Sequence, residues 1–273
     1  MSPVLSIITV GMNHLPYIKE LYESLYSGDS MPRVAFEAIY VDNCSIDGSV
    51  EFLRENYPQV KIIQNVVPKG FGENNNIGAF ASIGEYIAII NPDITLRARS
   101  LDILYEFMEN NKMVGIAVPR LFNKDLTHQY SIRGFITPKI FFNRILSRGN
   151  DESMNHAVVK YLCKNIDVEK IQPINWALGA ALFMSREMYS LLAGFDKDYF
   201  LYMEDEDICL RSWMMNRPVV YVPQSQMVHN HLRASSKIGK KALLHFKSLR
   251  KFFKKHGCSI PDYAGQCKNM FVV

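Results

Sequence analysis

Four consecutive carboxylates, Glu204, Asp205, Glu206 and Asp207, stand between Tyr202 and Met203 on one side and Ile208 and Cys209 on the other. On a solvated helix face such a run means little, because acids favour the first turn of a helix through its dipole. Crowded among apolar residues it has a second meaning. Desolvation and like charge both raise carboxylate pKa values, which keeps one acid poised as a base. Asp207 stands four residues before Arg211, a spacing that pairs them structurally. Glu206 is expected to face solvent.

Other polar residues fall where apolar runs end. Asp42 closes "FEAIYVD", where a carboxylate can accept N–H bonds from a nucleobase or hydroxyl bonds from a ribose. Asp47-Gly48 just beyond reads as turn chemistry. In "AIINPDITL", Pro92 ends a buried run and fixes Asp93 in a turn. A lone carboxylate on a rigid element suits a hard divalent cation, Mg²⁺ or Mn²⁺, that shares its oxygen ligands with substrate phosphates. "KGFGENNNIG" has Gly70-x-Gly72, but Asn75 stands where a dinucleotide fingerprint needs its third glycine, so a nicotinamide cofactor is a weak reading. Asn74 or Asn75 could cap the following helix, and three successive amides suit a polar ligand.

These positions need a scaffold. The first hundred residues alternate β-branched runs ("LSIITV", "FEAIYV", "VKIIQN", "EYIAII") with helical spacings: Leu15, Ile18, Leu21 and Leu25; Val50 and Leu53; Leu101, Leu104 and Met108 after Ser100 as cap. The pattern predicts an α/β fold with a mostly parallel, Rossmann-like sheet flanked by helices, whose strand ends carry the ligand loops. Residues 120–172 lack clear periodicity. The simplest organisation is one compact domain over 1–232, its two halves 1–110 and 111–232, with a C-terminal extension over 233–273.

Composition bounds the rest. With 273 residues, 48% hydrophobic, the chain can bury a large core. The net charge of +4 is modest, and no apolar run reaches the roughly eighteen residues of a membrane span. The five scattered cysteines fit neither a disulfide framework nor a thiolate zinc site. No signal peptide is evident in "MSPVLSIITV". A cytoplasmic protein is expected.

Taken in order, Asp42, G-F-x-x-N-N-N-x-G, N-P-D, W-x-x-G-A, G-F-D-x-x-[FY]-F-L-Y-x-E-D-x-D-I-C-L-R and a Val-His pair resemble glycosyltransferase family 2 with the GT-A fold, especially its bacterial rhamnosyltransferase-like branch. The resemblance spans roughly residues 4–236. It implies an inverting, metal-dependent enzyme that moves a sugar from a nucleotide-diphosphate donor to an acceptor hydroxyl in cell-surface polysaccharide synthesis. Asp42 then matches the acid that reads the nucleobase, and Thr9, Val10 and Gly11 the strand end around the nucleotide. Gly70 and Asn75 belong to the donor-side loop. Asn91-Pro92-Asp93 replaces the usual D-x-D, leaving Asp93 as metal ligand and Asn91 for a ribose hydrogen bond. Trp176, Gly179 and Ala180 match the segment beside acceptor and donor sugar. Asp205 matches the catalytic base with Glu204 its competitor, and His229, or His231 nearby, approaches the metal or pyrophosphate. The branch favours deoxythymidine-diphosphate rhamnose as donor, with uridine-diphosphate sugars close behind, and a saccharide or lipid-linked saccharide as acceptor.

Two other readings stay open. A sugar nucleotidyltransferase should carry a Gly-rich basic loop after its first strand, which "GMNHLPYIKE" lacks; a non-catalytic carbohydrate-binding protein of this fold has no need of Asp93, Asp205 and His229. The segment "KIGKKALLHFKSLRKFFKKHG" predicts an amphipathic basic helix with Ile238, Ala242, Phe246, Leu249 and Phe253 on one stripe and Lys240, Lys247, Lys251 and Lys254 opposite. It is either docked on the domain with a solvated lysine face or attached peripherally to anionic lipid at the inner face of the plasma membrane. No nucleic-acid-binding motif is present.

Overall fold

The alternating pattern becomes a three-layer α/β structure in the computed structural model, which describes residues 2–147, 150–151, 153–230 and 240–267. The strands are β1 (Leu5–Gly11), β2 (Phe36–Asp42), β3 (Lys61–Gln64), β4 (Tyr86–Ile90), β5 (Ile94–Leu96), β6 (Ile116–Phe122), β7 (Ile132–Arg133), β8 (Gln172–Pro173), β9 (Trp176–Ala177), β10 (Ala181–Ser185) and β11 (Val219–His229). The helices are α1 (Leu15–Leu25), α2 (Ser49–Asn56), α3 (Phe71–Phe80), α4 (Ser100–Asn110), α5 (Pro138–Leu146), α6 (His156–Tyr161), α7 (Arg186–Leu191), α8 (Glu204–Met214), α9 (Lys240–His256) and α10 (Tyr263–Gln266).

The main sheet runs β3-β2-β1-β4-β10-β6-β11-β5, with β8 also paired to β11. Its first four strands are mutually parallel. β10 then enters antiparallel between β4 and β6, and β11 runs parallel to β6. Strand alternation divides the core. Tyr86, Ala88 and Ile90 of β4 join one apolar cluster with Ile18, Leu21 and Leu25 of α1 and Leu101, Leu104 and Met108 of α4. Ile87 and Ile89 join the other, with Ile208 and Trp213 of α8 and Leu249 and Phe252 of α9. Both faces are covered, which is why the central strands read as continuous apolar runs.

Three sequence expectations need correction. Ser100 is not the cap of α4: Arg99, at φ 55°, holds that position, and Ser100 is the buried first helical residue. The aperiodic stretch contains helices α5 and α6, capped by the side chains of Thr137 and Asn155. In α9 the buried face centres on Ser248, Leu249 and Phe252, whereas Phe246 is 55% exposed, so the apolar stripe is rotated from the one expected. Ile238 and His231 lie outside the described residues.

Candidate functional site

The four acids occupy the first turn of α8, where exposed helical N–H groups favour them. Their surroundings separate their roles. Asp207 is fully buried and accepts bonds from Arg211 Nε at 2.7 Å, Lys255 Nζ at 2.8 Å and His256 Nε2 at 2.7 Å. Burial alone would raise its pKa, but these donors and the Arg211 charge hold it at about 2. The expected Arg211 pair is therefore present, with α9 latched to the same carboxylate. Glu206 does not face solvent. It is 1% exposed and accepts the Ile136 N–H at 2.6 Å, and burial pushes its pKa up.

Glu204 is 5% exposed, with Oε2 buried and unbonded; burial and the adjacent Asp205 charge raise its pKa. Asp205 is the one partly exposed member of the four. Its Oδ1 accepts the Glu206 N–H at 2.9 Å and its Oδ2 the Gly179 N–H at 3.1 Å. Desolvation raises its pKa, while those two N–H bonds and the Arg133 charge oppose the rise. Asp205 is thus fixed in orientation yet reachable.

Gly179 is where the separate motifs meet. A Cβ there would lie 3.2 Å from the Asp205 Cβ and 3.4 Å from the Phe71 ring, so the close approach calls for glycine. The next residue, Ala180, accepts the Asn91 N–H at 2.9 Å. One dipeptide therefore joins the N-P-D loop to the E-D pair. The G-F-G turn arrives from the other side: the Phe71 N–H donates to the Phe200 carbonyl at 2.9 Å, and a Cβ on Gly70 would meet that carbonyl at 2.8 Å. Phe200 leads into Tyr202 and Met203, both left-handed at φ 69° and 72°. Such backbone persists in non-glycine residues only where neighbours over-determine it. Here α9 does so, with Ser248 Oγ donating to the Leu201 carbonyl at 2.8 Å and the His245 ring tilted against Tyr202 at 4.8 Å between centroids.

Asp93 and His229 come together, Oδ1 to Nε2 at 3.4 Å, across the β5–β11 pairing. His229 is 3% exposed, and its Nδ1 lies 2.7 Å from Gln129 Oε1. With Nδ1–H donating to that amide oxygen, the Nε2 lone pair turns toward Asp93. This is the orientation of a metal-ligating imidazole held by its outer partner. Among the described residues no three His, Cys, Asp or Glu side chains gather as a metal cluster, so Asp93 and His229 form a two-donor set that fits a cation completed by phosphate oxygens and water.

The remaining positions lie around the strand ends. Gly11 and Asp42 are register partners at the ends of β1 and β2. Asp42 is 1% exposed and accepts the Ser45 N–H at 3.1 Å and the Tyr40 hydroxyl at 3.4 Å. Thr9 is buried with its hydroxyl against Tyr22, and Val10 is half-buried. Asp47 binds the Leu15 and Ser49 N–H groups, the turn role expected of it. Asn75 donates within α3 to the Phe71 carbonyl and does not cap the helix, whose N-cap is Gly70. Asn74 bonds back to the Lys69 and Gly70 carbonyls, and Asn76 ties Phe195 and Tyr189. Two of the three amides thus brace the loop internally and the third reaches the 189–195 segment.

Trp176 donates its indole N–H to the Gly134 carbonyl at 2.7 Å, and its β-pair partner Arg133 lies over the Trp176 and Tyr161 rings at 5.7 and 5.6 Å. Gln129 and Arg133 escaped the sequence reading because both sit in the aperiodic stretch, in no motif.

Against known proteins, the glycosyl transferase family 2 model matches residues 6–167. N-acetylglucosaminyl-diphospho-decaprenol L-rhamnosyltransferase of Mycobacterium tuberculosis is 23% identical over 255 residues, 87% of this chain and 79% of that protein. Rhamnosyltransferase WbbL of Escherichia coli is 28% identical over 233 residues, 82% of each. Among solved structures, GalNAc-T7 with UDP, GalNAc and Mn²⁺ superposes with a TM-score of 0.64 at 14% identity, covering 94% of this chain; the chain spans only 50% of that protein's length. Mannosyltransferase PcManGT of Pyrobaculum calidifontis, in complex with GDP-Man and Mn²⁺, gives 0.62 at 19% identity over 96% of this chain and 66% of its own. At these identities the structural likeness concerns the fold.

Proposed function

The chain belongs to glycosyltransferase family 2, and on that premise we propose that it transfers a sugar with inversion from a nucleoside-diphosphate donor to a hydroxyl of a saccharide or lipid-linked saccharide, with Asp205 as base. The observation that carries this reading is the Gly179-Ala180 junction, which sets an oriented, partly exposed carboxylate beside the loop bearing Asp93.

In the reaction the C1–O bond to the diphosphate breaks, its electron pair leaves with the diphosphate, and the acceptor oxygen bonds to C1 from the opposite face. The acceptor's proton passes to an Asp205 carboxylate oxygen. A divalent cation, when bound by Asp93 and His229, supplies positive charge against the negative charge growing on the leaving group. Gly179 and Glu206 N–H groups hold Asp205 in place, and Glu204, buried beside it, disfavours a second charge there. Asp42 and the β1 end are assigned to the nucleoside, Trp176 to the sugar side.

The names of the two bacterial relatives support rhamnosyl transfer, and the first also names a diphospho-decaprenol acceptor. Deoxythymidine-diphosphate rhamnose is the first donor to try and uridine-diphosphate sugars the second. With a lipid-linked acceptor the enzyme would work at the inner face of the plasma membrane.

Asp205→Asn tests the assignment. It keeps the two N–H bonds yet cannot take a proton, so donor binding by calorimetry should survive while transfer falls about 10²–10⁴-fold. Glu204→Gln is the internal control. Normal turnover by Asp205→Asn with loss in Glu204→Gln moves the base by one residue, and parental rates in both remove these acids from the chemistry.

A further inference from the structure

Helix α9 has two faces with different fates. Its inner face is committed to the domain through Leu249 and Phe252 in the core, and through Lys255 and His256 on Asp207. Its outer stripe, at spacings of three and four, runs Leu243, Phe246, Lys247, Arg250 and Lys254, all exposed. Leu243 is 57% and Phe246 55% exposed, so two large apolar side chains are left in water beside three basic ones.

Helix α5 extends this surface. Phe141 contacts Phe246 at 6.5 Å between ring centroids, which brings the two helices together. On α5 Phe142, Ile145 and Leu146 are 60%, 56% and 66% exposed, and Lys139 is exposed as well. Across α5 and α9 the sequence has no aspartate or glutamate. A soluble surface normally intersperses both signs and scatters its large apolar residues singly. Here five of them gather on two adjoining helices with only cations among them.

We infer that this α5–α9 face docks onto the surface of an anionic lipid bilayer, with Phe142, Ile145, Leu146, Leu243 and Phe246 entering the headgroup boundary and Lys247, Arg250 and Lys254 meeting lipid phosphates. The charge identifies the occupant. A second copy of the chain would bring a like-charged face against this one, whereas an anionic bilayer supplies both complementary charge and an apolar layer for exposed side chains. Docking on the inner face also leaves α9's outer stripe for lipid without loosening its grip on residues 201–203.

The test uses the full chain and large unilamellar vesicles, one set of phosphatidylcholine alone and one containing phosphatidylglycerol, in low salt. Wild type should co-sediment with the anionic set only. Lys247→Gln/Arg250→Gln/Lys254→Gln should weaken that partition roughly a hundredfold, from the attraction of each basic residue to an anionic surface. Phe142→Ser/Leu146→Ser/Phe246→Ser should weaken it at least tenfold, and Phe80→Ser/Ile83→Ser, more exposed still but elsewhere on the surface, should leave it unchanged. All three variants should melt with wild type, since the altered side chains are exposed. Absence of wild-type binding to anionic vesicles overturns the inference, as does binding indifferent to both face variants. So does a wild-type dimer in light scattering that Phe246→Ser converts to monomer, which would make the face a self-interface. Binding is the only readout, so failure here leaves the sugar-transfer reading standing.

Discussion

Asp207→Asn removes the charge on which α8 and α9 converge while preserving side-chain shape. In the native protein that carboxylate is fully buried and bonded to Arg211, Lys255 and His256. Its fall from 3.8 to about 2 corresponds to roughly 2.5 kcal/mol favouring the ionised form, at about 1.4 kcal/mol per tenfold in acidity. Arg211, Lys255 and His256 lose their counter-charge as well, but Lys255 is exposed and keeps Asp196 at 2.7 Å, so the loss stays near this figure and below the cost of stranding a fully buried ion. For a chain of this size about 2.5 kcal/mol lowers Tm by about 5 °C. The sign with pH follows from the depressed pKa. Stabilisation is complete above the unfolded value of 3.8 and is lost as pH falls through about 2. Thermal unfolding followed by circular dichroism should therefore show a constant gap between wild type and variant from neutral pH down to about 4, narrowing below it. A variant that melts with wild type at neutral pH, or a gap that stays constant into strong acid, would refute the reasoning.

Glu204→Gln should raise Tm, because the buried acid's pKa is raised by desolvation and by Asp205. A raised carboxylate stabilises below its unfolded pKa, near 4.5, and loses that stabilisation as pH rises, so the variant's advantage should grow from pH 5 upward in the same unfolding assay. Gln129→Leu should release the His229 ring and weaken cation-dependent donor binding roughly 10–100-fold. Calorimetry with chelator should show no change for the same variant.

Strands and helices with a strict period were legible before the structure: β1, β2, β4, α1 and α4 lie where alternation and 3.6-residue spacing put them. The site loops were legible because strand ends in an α/β sheet carry them. Helices α5 and α6 were not, since each is under ten residues and holds its place by side-chain caps and packing. The inward face of α9 is not fixed by its own sequence, because a helix with apolar residues on more than one side has no unique inward stripe; Asp207, distant in sequence, selects it through Lys255 and His256. Glu206 reads as a solvent residue in sequence because the Ile136 N–H that donates to it lies seventy positions away. Gln129 gave no signal at all, being one amide in an unpatterned loop.

The insertion of β10 between β4 and β6 has a consequence for anyone recombining this enzyme with its relatives. A chimera cut near residue 110 would take the strand that Ile87–Ile90 zip against from one parent and the zip itself from the other. The same cut would separate Asn76 from Phe195 and Tyr189, Asn91 from Ala180, and Phe71 from Phe200. The first hundred residues are therefore not a free-standing cassette, since their hydrogen-bond partners lie in residues 176–203. Exchanging them calls for co-inheritance of residues 176–203, and libraries that keep that segment with its own amino-terminal half should yield folded hybrids where simple crossovers yield aggregates.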